Sequence, residues 1–235
     1  MPLTQGVLTY LPYLTTSIFV VGLLWRVRRW WRAPAPAAPL FPAPAGSAAV
    51  WGRIGAEICL LRGRHATQPT EGLGAWIFHA CLAGIFVGHI RTVTDFPRLW
   101  AALSLPPADV DRLSGLVGGA MGDIALAAGL YLLARRLVLP RLRQITRFED
   151  IFVLALLLGV LASGQVLRFG PPVDLGPVRD YLAALASLSP RPMPDIPGFA
   201  AHFLLVQVLA VYAPFGKLLH IAGVFPAKLG LTGAD

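Results

Sequence analysis

The chain has 235 residues, of which 56% are hydrophobic and 14% carry a formal charge, and its mean hydropathy is +0.65. Since a soluble domain carries about 25% charged residues, this composition indicates an integral membrane protein. The net charge of +8 comes from basic residues at the ends of apolar runs, which favours membrane topology over nucleic-acid binding.

Five apolar runs are long enough to cross a bilayer, which requires about 20 residues of helix. The runs are Val7 to Trp25, Leu73 to Val93, Ser114 to Leu139, Ile151 to Phe169 and Phe199 to Ile221. No charged segment precedes the first run and no small-residue cleavage site follows it, so we expect a helix there and no signal peptide. With no repeat or second domain evident, the sequence predicts an all-α bundle of five transmembrane helices, one domain over residues 1–235.

Two connecting segments have a clear character. Residues 33–70 begin with a proline-rich linker and continue with "VWGRIGAEICLL", where Val50, Ile54, Ile58 and Leu61 recur at helical spacing. This pattern predicts a short amphipathic helix at the inner membrane surface or against a cytoplasmic partner. The proline-rich segment 170–198 is predicted to be an outer loop, long enough to lie over the outer face of the bundle.

The distribution of positive charge predicts the orientation. Segments 26–74, 135–147 and 217–235 hold 14 of the 20 Lys and Arg residues. Because cytoplasmic segments are enriched in Lys and Arg, we expect the N-terminus outside and the C-terminus in the cytoplasm of a multi-pass inner (cytoplasmic) membrane protein.

Four of the five histidines lie inside predicted spans, His79 and His89 in the second and His202 and His220 in the fifth. An ionisable group in hydrocarbon is costly unless it is paired, and so it is a functional candidate. On the predicted topology the two helices are antiparallel. His79 then lies level with His220 near the cytoplasm, and His89 lies level with His202 near the outer face.

Two imidazoles at each of two levels fit the axial ligands of b-type haem better than a structural zinc site, which requires four ligands at one level. The two cysteines are too few for a zinc ribbon and are expected to be packing residues. Small residues beside the histidines, among them Ala80, Ala83 and Gly84, either admit a macrocycle or simply pack helices. The spacings disagree, however. The ten residues from His79 to His89 rise about 15 Å along a helix, whereas the eighteen from His202 to His220 rise about 27 Å. A kink near Pro214 or a tilt of one helix is therefore required to bring both pairs level.

The stretches "FHACLAGIFVGH" and "AHFLLVQVLAVYAPFGKLLHIAGVF" resemble the ligand helices of a di-haem cytochrome b subunit. They are similar to the gamma subunit of respiratory nitrate reductase and to its relative DsrM, the membrane subunit of the Dsr complex. The proline-rich segment with "VWGRIGAEICLL", the "GHIR" motif and "KLLHIAGVF" favour the DsrM branch. The stretches "GIFVGH" and "RRLVLPRLRQITRFEDI" fit the nitrate reductase branch as well or better.

The resemblance implies a quinol oxidoreductase subunit with two haem b groups, the inner iron held by His79 and His220 and the outer iron by His89 and His202. Menaquinol or ubiquinol is then oxidised near the outer haem, and electrons pass to an iron–sulfur partner. In the DsrM case, which belongs to sulfur metabolism, the partner is DsrK-like. In the nitrate reductase case it is the beta subunit, and in a sulfur oxidiser the direction reverses.

Four other residues have predicted roles around these groups. Arg91 and Lys217 are candidates to pair with haem propionates, or are interfacial cations. Asp123, an acid inside a span, is a candidate to bind quinol or relay its proton, or is close enough to the outer surface to be solvated. The nitrate reductase family has a basic quinol-binding residue before the third span, and the nearest cation here is Arg112. His65 is expected to be a solvated loop residue.

Two functions of a different class stay open. Four intramembrane histidines would also suit a small transporter with a His-lined path, although repeats and broken helices, which are typical of transporters, are not evident. The chain would alternatively be a structural anchor whose histidines only bond carbonyl groups.

Overall fold

The computed structural model describes residues 3–32, 47–60 and 68–220. Within these ranges every regular element is a helix, as the sequence predicted. The α-helices are α1 (Leu3–Trp31), α2 (Ser47–Leu60), α3 (Pro69–His89), α4 (Pro97–Ala102), α5 (Pro107–Val138), α6 (Pro140–Ile145), α7 (Phe148–Phe169), α8 (Leu175–Ala186) and α9 (Phe199–Tyr212). Short 3-10 turns follow α3 at Ile90–Thr92 and α9 at Lys217–Leu219. The linker at 33–46 and His65 lie outside the described residues.

Four helices in the described ranges are long and apolar enough to cross a membrane. They are Gly6–Trp31 of α1, Pro69–Thr92 comprising α3 and its 3-10 turn, Pro107–Val138 and Phe148–Phe169. These helices extend beyond the predicted apolar runs because the helical backbone continues into charged residues at their ends. Four of the five predicted spans therefore have a matching helix, whereas the orientation of the termini stays a prediction.

The fifth predicted span is not one continuous helix in the described residues. The helix α9 ends at Tyr212, the chain turns through 213–216, and the 3-10 turn Lys217–Leu219 leads to His220. Pro214 explains the break, because proline lacks an N–H group and its ring collides with the preceding turn of a helix. Its ring is buried against α1, and a Cβ atom added to Gly22 would lie only 2.7 Å from Cβ of Pro214. Only glycine at position 22 permits this contact.

The core lies between α3, α5 and α7, since α3 packs on α5 and α5 packs on α7. Its buried members are Phe78, Cys81, Ala125, Leu154 and Leu161. Close approach depends on small residues, a common device in membrane helices. A Cβ atom on Gly129 would meet Leu158 at 2.9 Å and Phe78 at 3.0 Å.

The helix α9 has different neighbours, because it packs on α1 and α7. The hydroxyl of Thr15 on α1 contacts Oε1 of Gln207 on α9, and this polar contact links the two helices. The packing therefore links α3 to α9 through α5 and α7. The helix α3 carries His79 and His89, and α9 carries His202.

Ion pairs fix which helix ends meet. Arg91, just after α3, pairs with Asp111 near the start of α5 at 2.9 Å, and Glu71 at the start of α3 pairs with Arg135 near the end of α5 at 3.1 Å. The two helices are therefore antiparallel. We name the end that contains His89, Asp111 and the end of α7 the His89 end, and the opposite end the His79 end. The predicted topology makes the His89 end the outer one.

The predicted loop at 170–198 contains a helix that the proline pattern concealed. The carboxylate of Asp174 accepts a hydrogen bond of 2.8 Å from the backbone N–H of Gly176 and caps α8. Val178, Tyr181 and Ala184, at helical spacing, form its buried face. Tyr181 packs edge-on against Phe203 of α9 with ring centroids 5.7 Å apart. The segment thus supports the start of α9, where His202 lies.

The predicted short helix after the linker is present as α2. Ile54 is buried, Trp51 is exposed, and the indole Nε1 of Trp76 donates a 2.8 Å hydrogen bond to the carbonyl oxygen of Cys59. The side chains of Val50, Ile58 and Leu61 lie outside the described residues. Of the two cysteines, Cys81 packs in the core as expected, and Cys59 is exposed.

Candidate metal centre

The structure brings the four histidines of the predicted spans together in the two pairs that the sequence predicted. The ring centroids of His79 and His220 lie 5.8 Å apart, and those of His89 and His202 lie 6.3 Å apart. The unequal spacings along the chain are reconciled by the turn at Pro214, because His220 is not on the same helix as His202. The distance along α3 from His79 to His89 therefore matches the distance from His202 to His220, because the eighteen residues between the latter two include a turn.

The hydrogen bonds of three histidines determine which ring nitrogen carries the proton. The Nδ1 atoms of His79, His89 and His220 lie 2.7, 2.8 and 2.9 Å from the carbonyl oxygens of Ala75, Ile85 and Lys217. A carbonyl oxygen only accepts, so in each neutral ring Nδ1 must be the N–H donor. The Nε2 atom then has a free lone pair, the state that binds a metal ion.

His202 reaches the same state through a side chain. The Ser163 hydroxyl donates to the carbonyl oxygen of Val160 at 2.9 Å, and its oxygen lies 2.9 Å from Nδ1 of His202. A hydroxyl has one proton, and here it is used on Val160. With that proton on Val160, the Ser163 oxygen accepts from Nδ1–H of His202, the arrangement that leaves Nε2 with its lone pair. None of the four Nε2 atoms has a hydrogen-bond partner among the residues that the structure describes.

The ring separations fit a metal ion between the two imidazoles of each pair. An imidazole nitrogen binds a metal at about 2 Å and the ring centre lies about 1 Å further, so two axial rings have centres about 6 Å apart. Aromatic rings that only pack also lie 4.5–7 Å apart, so the unpaired Nε2 atoms distinguish the two cases better than the distance does. Over 3–32, 47–60 and 68–220, no three His, Cys, Asp or Glu side chains form a cluster, and each pair thus offers two ligands.

The sequence left two roles open for the small residues near the histidines, namely to admit a macrocycle or to pack helices, and the structure distinguishes them. A Cβ atom on Gly84 would collide with Met121 of α5, so Gly84 packs helices. Gly88 has nothing within 4 Å, and Ala80 and Ala83 are exposed on the side of α3 that carries His79. Gly164 on α7 faces His202, where a Cβ atom would lie 3.3 Å from Cε1 of the ring.

Both cations predicted to meet propionates have carboxylate partners. Lys217 Nζ lies 2.6 Å from Asp150 Oδ1, and Arg91 lies 2.9 Å from Asp111 and 3.7 Å from Asp95. Each cation does lie beside the histidine pair that the sequence assigned to it.

Asp95 is the centre of a small network at the His89 end. Its carboxylate accepts a 2.9 Å hydrogen bond from Nε1 of Trp100 and lies near the guanidinium groups of Arg91 and Arg179. The Trp100 hydrogen bond, followed by the backbone N–H of Phe96 and the two arginines, lowers the pKa of Asp95 below its ordinary value. The network orders the segment between α3 and α5.

This lowered pKa gives a pH prediction. A carboxyl with a depressed native pKa stabilises the fold above its unfolded pKa of about 3.9, and this stabilisation is lost as pH falls through the native value. We expect the melting temperature of Asp95→Asn to approach that of the wild type as the pH falls from 6 to 3. The exposed acid Asp109 gives the matched control, Asp109→Asn. An equal difference between Asp95→Asn and the wild type at both pH values would contradict the prediction.

The two residues proposed for quinol are far apart. Arg112 is exposed near the start of α5, and Asp123 lies eleven residues along the same helix, a rise of about 16 Å. They therefore do not both contact one quinol ring. Asp123 is exposed at membrane depth and its Oδ1 accepts a 2.7 Å hydrogen bond from Nε2 of Gln165, which also donates to the carbonyl oxygen of Gly119 at 2.9 Å.

Three consecutive residues that the sequence reasoning missed connect these features. Ser163 and Gly164 contact His202, and Gln165 contacts Asp123. The available signal was the "SGQ" interruption of an otherwise apolar run, "VLALLLGVLASGQVL".

Comparison with known proteins gives consistent matches. Residues 71–229 match the family described as nitrate reductase gamma subunit. The chain is similar to the Hdr-like menaquinol oxidoreductase cytochrome b-like subunit of Archaeoglobus fulgidus, with 27% identity over 91% of this chain and 75% of the relative. The respiratory nitrate reductase 1 and 2 gamma chains of Escherichia coli are 29% and 34% identical, over 65% and 64% of this chain and 71% of each relative.

Proposed function

Since the chain belongs to the nitrate reductase gamma subunit family, we propose that it is the membrane cytochrome b subunit of a respiratory complex and exchanges electrons between the quinone pool and an iron–sulfur partner subunit. The family and the four apolar helices make it a multi-pass protein of the inner membrane. The observation that carries the proposal is the set of four imidazoles, paired at two levels, each with Nδ1 used and Nε2 free.

We propose that His79 with His220, and His89 with His202, would each hold one haem b group through their Nε2 atoms. When bound, haem supplies one-electron chemistry between ferric and ferrous iron at each level. The protein's part is to hold the rings. The carbonyl oxygens of Ala75, Ile85 and Lys217 and the Ser163 hydroxyl fix the tautomer and orientation of the four ligands.

The same hydrogen bonds argue against the alternative that the chain is only a structural anchor. A histidine that served only to bond a carbonyl group would satisfy one ring nitrogen and leave the other, in an apolar span, without a partner. Four such losses of hydrogen bonding, each costing about 1–3 kcal/mol where the ring is shielded from water, would be an expensive way to anchor a helix. A shared ligand at the Nε2 atoms accounts for all four.

The DsrM branch is favoured over the nitrate reductase branch. The Archaeoglobus fulgidus relative, a subunit of an Hdr-like menaquinol oxidoreductase, aligns over 91% of the chain, whereas the Escherichia coli gamma chains align over 64–65%. On this basis we propose menaquinol as the quinol. The DsrK-like iron–sulfur partner and the sulfur-metabolism complex rest on the sequence resemblance to DsrM. The alternative is the gamma subunit of a respiratory nitrate reductase with its beta subunit as the partner.

For the quinol site we propose Asp123. A quinol diffuses within the bilayer, and Asp123 is an exposed carboxylate at membrane depth, held by Gln165 next to the residues that contact His202. A carboxylate in this position is able to accept a hydrogen bond, and then a proton, from a quinol hydroxyl. Arg112 lies too far along α5 to share that ring, and we assign it at most to the entrance at the His89 end.

We expect Asp123→Asn to lower the rate of haem reduction by quinol about a hundredfold, the usual order for loss of a general base, and to leave haem content unchanged. Stopped-flow absorbance with a menaquinol analogue measures the rate. Asp109→Asn, the same change in an exposed acid of α5, should leave the rate unaltered. A wild-type rate in Asp123→Asn would remove Asp123 from the site.

The proposed function itself is tested by anaerobic addition of a menaquinol analogue to the purified full-length chain. We expect reduction of a bound b haem, seen as the growth of its α-band. Purified chain with bound haem that no quinol reduces would refute the assignment as a quinol-linked subunit.

A further inference from the structure

Arg168 is a cation at the His89 end that none of the roles above uses. It lies in the last turn of α7, four residues after Gly164, and hence about 6 Å further along the helix on the same face. Gly164 is the residue that faces His202. Arg168 is therefore one helical turn beyond the contact between α7 and a proposed haem ligand.

The side chain of Arg168 is exposed, but it lies along α5. An interfacial arginine normally extends away from the bundle to reach water, but this one crosses to α5, where a Cβ atom on Gly118 would lie 3.1 Å from its terminal nitrogen. The two glycines at 118 and 119 leave space for the guanidinium and its stem. The fold thus holds the cation over the bundle.

The surrounding charges leave Arg168 without a carboxylate. Arg91 pairs with Asp111 and Asp95, and Arg179 pairs with Asp95. Arg168 has no ion pair or hydrogen bond to the described residues, and Arg91 is close enough to repel it. A carboxylate beside Arg168 would offset this repulsion and accept charge-assisted hydrogen bonds from its guanidinium.

We propose that Arg168, together with Arg91, forms a carboxylate-binding site for a propionate of the haem held by His89 and His202. This proposal rests on the proposed function. Haem b carries two propionates, which are the carboxylates nearest to its axial ligands, and a planar guanidinium binds such a group with two parallel hydrogen bonds. The phosphate of an anionic lipid headgroup has the same oxyanion chemistry, so the test separates the two sources.

The test is a redox titration of the α-band of the full-length chain, with the haem that is lost in His89→Ala taken as the one in question. Removing a nearby cation disfavours the reduced iron and leaves the propionate charge uncompensated. We expect Arg168→Gln to lower the midpoint of that haem by about tenfold in the redox equilibrium, about 59 mV for one electron. The other haem should not shift, and Arg168→Lys should recover much of the midpoint.

Two controls identify the anion. Arg98→Gln removes an exposed arginine from the same end, so an equal shift there would show a general surface-charge effect and overturn the proposal. The titration is repeated in nanodiscs of neutral phosphatidylcholine with and without phosphatidylglycerol. A shift in both supports the propionate, and a shift only with phosphatidylglycerol assigns the site to lipid.

If wild type and Arg168→Gln bind both haems with equal midpoints, this inference fails while the proposed function stands. If the wild type has no α-band, the proposed function fails as well.

Discussion

His89→Ala is expected to lose one haem and His79→Ala the other. Each substitution removes one of the two proposed ligands of one pair and leaves the other pair intact. The two pairs are independent because His79 and His89 lie ten residues apart on α3, a distance of about 15 Å. The haem-to-protein ratio of each purified variant should therefore be half that of the wild type. The difference spectra of the two variants should add up to the wild-type spectrum.

The outlying histidine supplies the control. His65→Ala changes the same residue type outside the predicted spans and should retain both haems. Retention of both haems in His79→Ala or His89→Ala would show that the pairing is incorrect, and loss of both in either variant would show that the two sites do not form independently.

Ser163→Ala is the second substitution with a large expected effect. It removes the acceptor of the Nδ1 proton of His202, the only ligand whose tautomer depends on a side chain among the described residues. Groups that hydrogen-bond to a metal ligand in this way typically contribute tenfold to a hundredfold in affinity. We expect the haem at the His89 end to leave the protein about tenfold to a hundredfold faster. Transfer of haem to an excess of apomyoglobin measures this rate.

Ser163→Thr keeps the hydroxyl and should retain most of the wild-type rate. Ser187→Ala, at the end of α8, removes a hydroxyl that does not contact a histidine and should have no effect. Equal haem loss from Ser163→Ala and wild type would mean that Ser163 does not position His202.

The pairing of histidines by level followed from the sequence because it depends only on helix direction and on distance along the helix. Two predicted antiparallel helices with two histidines each admit one pairing by level. Both pairs lie in contact as that argument requires, although α9 carries only His202 and His220 follows the turn. The mismatch between ten and eighteen residues was visible in advance, and so was Pro214. The effect of Pro214 on the helix was less predictable, because a proline either kinks or ends a helix depending on its neighbours. Here the helix ends, and Pro214 contacts Gly22 of α1.

The parts that the sequence left undetermined depend on the rotation of each helix about its axis. Nothing in "VLALLLGVLASGQVL" tells which neighbour Ser163 and Gln165 face, so their contacts with His202 and Asp123 emerge only from packing. The partners of Arg91 and Lys217 depend on short segments whose paths are set by tertiary contacts. The helix α8 was concealed because prolines at both ends of 170–198 dominate its composition, although Val178, Tyr181 and Ala184 follow a helical period.

The central claim is that four imidazoles with free Nε2 atoms hold two haem groups. The reduced-minus-oxidised spectrum of the purified full-length chain, combined with its haem-to-protein ratio, tests it most directly. We predict the sharp α-band of bis-imidazole b haem and a ratio of two haems per chain. A spectrum without that band, or a ratio of one or less in fully folded protein, would contradict it.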